Sequence, residues 1–201
     1  MPDQPTRRAL LKQESRQRFL DAAAAKLRKD GLEGAPIVPV MKMAGLTHGT
    51  FYTHFENKDD LAVGAFRHAI AINRKQWIGP IKNRSWKSRV AQLARGYLNR
   101  RQRDKRADSC PYSALATDAA RASGDFRRAF EQELRRSLNA MGATPLDEEE
   151  EHEHYDETIA LMALFVGGLS LARAVESPAF SDRILKVCRT VAEQLGAEEN
   201  T

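Results

Sequence analysis

Cysteine is scarce in this chain: the 201 residues hold two, Cys110 and Cys188, far apart and without Cys-x-x-Cys spacing. That excludes a disulfide-stapled scaffold or a zinc finger and fits a reducing compartment. Aromatic residues are also few, at 7%. The stretch from Met1 to Ser15 has no apolar run of signal-peptide length, and the longest uncharged apolar stretch, Ile159 to Ala172, is short for a bilayer span. These absences lead to the expectation of a soluble, cytoplasmic protein with no membrane partner. Acidic residues are missing from one long region: residues 67 to 106 carry thirteen Lys or Arg against Asp104 alone, whereas residues 145 to 158 carry eight acids and no Lys or Arg. The formal net charge of +5 is therefore unevenly spread, and a basic region of this kind attracts nucleic acid without reading its sequence.

Hydrophobic residues make up 42% of the chain, enough for a core in one or two domains. They recur at three- and four-residue spacing, which predicts an all-α fold. Phe19, Ala23 and Leu27 share a stripe on a helix expected from about Glu14 to Asp30, with Gly31 as its stop. Residues 1 to 12, with two prolines and Arg7, Arg8 and Lys12, are expected to form a mobile basic arm. Pro39 is tolerable only in the first turn of the next helix, which is therefore short and weakly capped.

The most informative stretch runs from Met43 to Leu61. Ala44 ends one helix, Gly45-Leu46 turns, Thr47 is placed to cap a short helix, and Asn57 is placed to cap a third. Phe51 and Phe55 lie four apart and share a buried face, while His48, Gly49, Thr50, Tyr52, Thr53 and His54 fill the remaining arc. Hydroxyl, imidazole and small groups on one arc suit phosphates and base edges in a DNA groove. Lys58 adds its charge at a helix N-terminus, where phosphate is the natural partner.

The run Ala-Gly-Leu-Thr-x-Gly-x-Phe-Tyr-x-His-Phe-x-Asn-Lys-x-x-Leu resembles the signature of the tetracycline-repressor (TetR/AcrR) family of transcription regulators. The resemblance covers residues of about 13 to 73. It implies an N-terminal three-helix helix-turn-helix domain over 13–73, a helical ligand-binding and dimerisation domain over 74–201, a palindromic double-stranded DNA operator, a homodimer and a small-molecule effector. It also implies no catalysis, no cofactor and no metal. Thr47, His48, Gly49, Thr50, Tyr52, Thr53, His54 and Lys58 are the expected DNA-binding residues. In place of the family's Ser/Thr cap and acidic first turn, this chain has Ala35-Pro36-Ile37-Val38-Pro39.

Beyond Leu61 the apolar spacing predicts a helix to Trp77, in the family the link between the domains, then one over Ser85 to about Asp104 and one over Gly124 to Met141. Trp86, Tyr97, Tyr112, Phe126 and Phe130 are candidate pocket aromatics. Cys110, beside Pro111 at a helix start and near an Arg/Lys cluster, is a candidate thiol sensor with a lowered pKa, or a small packing residue. Two last helices, over Tyr155 to Val175 and Phe180 to Leu195, resemble the C-terminal pair of one branch of the family. On that resemblance Phe165, Gly168, Leu169, Ala172 and Ile184 form the dimer interface of a four-helix arrangement. The acidic run from Asp147 to Glu157 contains Glu149/His152 and Glu151/His154 at Glu-x-x-His spacing, so a helical metalloprotein is one alternative. An effector-independent architectural DNA-binding protein is another.

Overall fold

In a computed structural model the chain is described over residues 6–34, 36–143 and 153–197, and these residues form helices and turns with no strand. Helix α1 spans Arg7–Asp30, so it begins a full two turns earlier than expected. Thr6 caps it by accepting a hydrogen bond from the Ala9 amide at 3.3 Å, and the Arg, Ala, Leu and Lys that follow are strong helix formers. The basic arm is thus helical from Arg7 on, with Arg7, Arg8 and Lys12 exposed. Gly31, at φ 77°, ends α1 as its sequence position suggested.

Helix α2 spans Ile37–Ala44 with no side-chain cap, Pro39 falls in its first turn, and Gly45 closes it in the left-handed conformation at φ 65°. Helix α3, His48–Phe51, is a single turn, and α4 spans Lys58–Trp77. Asn57 caps α4 by accepting from the Asp60 amide at 2.9 Å. Phe19 of α1 meets the Phe51 and Phe55 rings edge-on at 5.9 and 5.8 Å, and this aromatic cluster holds α3 and the loop after it against α1.

A short 3-10 turn, Gly79–Ile81, leads to α5, Trp86–Tyr97. The single helix expected to Asp104 is broken at Leu98 and Asn99. The Asn99 side chain bonds back to the Arg95 and Gly96 carbonyls and accepts from the Gln102 amide, ending one helix and starting α6, Arg100–Asp104. A 3-10 turn at Arg106–Asp108 precedes α7, Pro111–Ala119, α8, Gly124–Gly142, α9, Tyr155–Ala174, and α10, Pro178–Leu195. Of the later helices, α7 and α8 pack on α4, while α5, α9 and α10 pack on one another.

Two cores result. The first runs without a break from Phe19 and Phe51 through Phe66 and Ile70 of α4 to Tyr112, Leu115 and Phe126 of α7 and α8. The second joins α5, α9 and α10 through Val90, Leu161, Phe165, Leu169 and Leu185. Helix α4 therefore belongs to both halves of the chain. Helix α9, at 20 residues, is longer than the uncharged stretch anticipated, and by length and composition alone it could cross a membrane. Its Leu161, Phe165, Leu169 and Ala172 are buried against the protein's own helices, the pattern of a core helix.

Candidate DNA-binding site and effector pockets

The turn from Thr47 to Lys58 stands out from α1 on its aromatic base. Phe51 and Phe55 point inward, fully buried. Thr47, Gly49, Tyr52 and Thr53 are exposed, Thr50 is half-buried, and the Tyr52 ring stands edge-on over Phe51 at 5.0 Å. A Cβ at Gly49 would meet nothing within 4 Å, so packing inside the chain does not call for glycine there. The Thr47 hydroxyl lies 3.0 Å from the Thr50 hydroxyl and makes no bond to a helix amide, which corrects its expected capping role. Thr53 donates to the Thr50 carbonyl at 2.7 Å, fixing the tight exit from α3. Of His48 only the backbone placement, at the start of α3, is described.

His54 departs from the sequence expectation. Its Nε2 lies 2.7 Å from the Ser15 hydroxyl of α1, and its ring stands against Phe19. Burial, then Lys12 and Arg16, lower its pKa, so the imidazole is neutral at pH 7. It is a strut between α1 and the turn rather than a group presented to solvent. Lys58 opens α4 with its Nζ 3.8 Å from the exposed Glu33 carboxylate, a weak surface pair that leaves the ammonium available.

Most basic side chains of residues 67 to 106 are exposed, but several are taken up by acidic partners on other helices. Arg74 pairs with Glu133 at 2.7 Å in a nearly buried site, while Arg100 and Arg103 both engage Asp182. Arg173 is bound by the Gln102 and Arg103 carbonyls and by the Ser109 and Ser113 hydroxyls. These side chains tie helices together; the sequence could not show it because their partners lie some 59 to 82 residues away.

Two apolar cavities lie in the second half. The larger, about 520 Å³, is a groove between α7, α8 and α9 lined by Tyr112, Phe130, Leu134, Leu138, Met162 and Val166, with Glu131 and Arg135 at its edge. The smaller, about 40 Å³, lies under Trp77, Tyr97, Cys110, Tyr112 and Phe165. Tyr112 is common to both. Its hydroxyl lies 2.9 Å from Ser137 Oγ, and Ser137 in turn accepts from Arg74 of α4 at 3.3 Å. The expected pocket aromatics separate accordingly. Tyr97, Tyr112 and Phe130 line cavities. Phe126 is buried against Phe66 in the first core, and Trp86 stacks on His154 at 4.3 Å. Cys110 is buried beside the Tyr97 hydroxyl, and burial pushes its thiol above the ordinary value. Desolvation outweighs the start of α7 and the Arg173 charge, so the lowered pKa expected from sequence is reversed.

The residues expected at a dimer interface are also largely spent within the protomer. Phe165, Leu169 and Ala172 are buried in the second core, and Ile184 packs against it. A Cβ at Gly168 would sit 2.8 Å from Cys188 Sγ, so this glycine lets α9 approach the chain's own α10. Its neighbour Gly167 faces open space. On that outer side Leu171, Phe180, Val187 and Val191 are 59%, 53%, 52% and 39% exposed. Among the described residues no three His, Cys, Asp or Glu side chains gather at a possible metal site. Glu149, Glu151 and His152 lie outside the described residues.

The described residues are helical throughout, and the first half carries a helix-turn-helix with an exposed polar turn. The family model described as "Bacterial regulatory proteins, tetR family" matches residues 19–65. Comparison with solved structures gives the same fold along nearly the whole chain. E. coli NemR in its reduced form aligns over 90% of this chain and 95% of its own, at 17% identity and a TM-score of 0.72. A TetR transcriptional regulator from Chloroflexus aurantiacus aligns over 94% and 98%, at 21% identity and 0.72. FadR from Bacillus subtilis, solved with stearoyl-CoA, aligns over 92% and 99%, at 16% identity and 0.57. No curated protein matches by sequence. Residues 19–65 thus resemble the TetR family of bacterial regulatory proteins, and the fold along nearly the whole chain is that of solved TetR-family regulators.

Proposed function

We propose that the chain is a dimeric repressor released from a palindromic operator by a small, mostly apolar effector. The domains divide at about residue 73, with 13–73 carrying DNA contact and 74–201 carrying effector binding and dimerisation. Thr47, His48, Gly49, Thr50, Tyr52, Thr53 and Lys58 face the DNA, and His54 holds their turn against α1. The dimer forms on the outer sides of α9 and α10, through Gly167, Leu171, Phe180, Ile184, Val187 and Val191. A second copy covers this apolar stripe, and two helices from each chain complete a four-helix packing.

The observation that carries the effector reading is the polar chain from Tyr112 through Ser137 to Arg74. It connects the wall of a groove of ligand-binding size to the helix that leads out of the DNA-binding turn. A molecule that enters between α8 and α9 must displace the Tyr112 ring or its hydroxyl. Ser137 and the Arg74–Glu133 pair then shift, and α4 carries that shift to Lys58 at its other end. B. subtilis FadR was solved with stearoyl-CoA, a ligand with a long apolar chain, which supports an effector with an apolar part.

The test is footprinting on DNA upstream of the protein's own gene and its neighbours, followed by titration of the protected site with apolar and amphipathic compounds. Release by a compound that binds wild type and fails to release Ser137→Ala is the expected result. A ligand that tightens the operator complex, or one that releases both proteins equally, sinks the repressor reading or the relay respectively.

A further inference from the structure

At the junction between the two halves, α1 faces α6 and the 3-10 turn at Arg106–Asp108 across a third, polar cavity of about 200 Å³. Arg28 of α1 and Trp77 of α4 form one wall, and Arg101, Gln102, Lys105 and Asp108 form the other. Two features set it apart from an ordinary hydrated crevice.

The first is a pair of unsatisfied buried groups of opposite hydrogen-bonding sense. Gln102 is only 5% exposed, and its Oε1 acceptor has no partner. Arg28 Nε, a donor, is also buried without a partner. A buried polar group left without a partner is costly, so a built site with both implies something that satisfies both. Their complementary senses do not cancel, because the two side chains do not reach each other.

The second is charge. Arg28, Arg101 and Lys105 meet a single carboxylate, Asp108, and none of the three cations makes an ion pair among the described residues. Elsewhere in this chain arginines near α6 are paired closely, as Arg100 and Arg103 are with Asp182. Burial lowers the Arg28 pKa, with Asp108 only partly offsetting it, so the guanidinium gains from an anion brought next to it.

We propose that this junction cavity binds a small oxyanion that also carries a hydroxyl. Its oxygens accept from Arg28 Nε and from Arg101 and Lys105, and its hydroxyl donates to Gln102 Oε1. Hydrogen phosphate and a hydroxycarboxylate both have this chemistry, whereas sulfate offers acceptors alone. Because Arg28 belongs to the DNA-binding half and Gln102 to the other, the bound anion ties α1 to α6. Gln102 is itself anchored from behind, its carbonyl accepting from Arg173 at 2.6 Å. The site is separate from the apolar groove and stands whether or not the effector reading does.

Calorimetric titration of the full-length protein at fixed ionic strength tests this, with inorganic phosphate, malate and sulfate in parallel arms and Trp77 emission as a second readout. One saturable site per chain for phosphate or malate is expected, with sulfate at least about tenfold weaker, the value of one charge-assisted hydrogen bond. The preferred arm tells a phosphate source from a hydroxy acid. Gln102→Glu, which keeps the shape but adds a negative charge, and Arg28→Met should each weaken binding by about tenfold or more. If either variant melts early, Arg101→Met with Lys105→Met, both exposed, carries the same expectation. Equal binding of phosphate and sulfate removes the hydroxyl contact. Phosphate affinity untouched by every one of these variants assigns the anion to the DNA-facing surface and overturns the site.

Discussion

The turn around α3 and the outer sides of α9 and α10 both present residues that the rest of the chain leaves uncovered, but with opposite chemistry. Around α3 the uncovered groups are a glycine, threonines, a tyrosine and a lysine on an aromatic base. On α9 and α10 they are leucine, phenylalanine, valine and an open glycine. The polar face loses nothing by standing in water until a phosphate backbone arrives. The apolar face carries a standing cost on the order of 1 kcal/mol for each of these half-exposed large side chains. Only the second is under thermodynamic pressure to be covered at all times, which is why a permanent protein partner suits it and an occasional nucleic acid partner suits the first.

The sharpest way to break this contrast is to charge the apolar face. Leu171→Glu combined with Val187→Glu should yield a helical monomer by sedimentation and circular dichroism. Operator affinity should fall by about a hundredfold or more, since one short turn reads only a few base pairs without its symmetry mate. A dimer of unchanged affinity would move the interface elsewhere.

The two adjacent glycines of α9 sharpen it further. Gly168→Leu should lower the unfolding free energy by about 1–3 kcal/mol through overpacking against Cys188 and Leu98. Gly167→Leu should leave the protomer's stability nearly unchanged while weakening its self-association. Identical denaturation midpoints for both variants would remove the distinction between an inward Gly168 and an outward Gly167.

On the polar face the expected effects are smaller. Lys58→Ala should weaken binding to all DNA sequences about equally, severalfold, and reduce the salt slope by about 1. Tyr52→Phe should act in the same non-selective way, whereas substitutions at Thr50 or Thr53 should change base preference. A selective effect of Lys58→Ala in a binding-site selection would contradict a phosphate contact.

The smallest expected effect concerns pH. Because the folded state holds His54 below its ordinary pKa of 6.5, the unfolded chain takes up the proton first on acidification. Stability should therefore decline as pH falls below about 6.5 and level off once the folded value is passed. Denaturant midpoints at pH 7.5 and 5.5 should differ more for wild type than for His54→Gln. Equal pH sensitivity in the two proteins would mean that His54 carries no part of it.

Local features were legible in advance wherever a few neighbouring residues are sufficient. Gly31 and Gly45 stop their helices, Asn57 caps α4, and Phe51 with Phe55 faces the core, all from spacing and cap chemistry. The start of α1 was missed because Thr6, rather than a residue near Glu14, provides the cap. The break at Asn99 was missed because its effect depends on which carbonyls its amide reaches.

What the sequence by itself determined is the helical class, the helix-turn-helix and the exposed polar turn, because each rests on contacts within a few turns of chain. Only the tertiary structure decided that His54 faces Ser15 and that the basic run is partly consumed by Glu133 and Asp182. It alone decided that Cys110 lies in a desolvated site, and that Gly167 rather than Gly168 looks outward. On a helix apolar around most of its circumference, periodicity cannot distinguish the face that meets α10 from the face that meets nothing. That distinction comes only from the placement of α10, held by Arg100, Arg103 and Asp182 across some 80 residues of sequence.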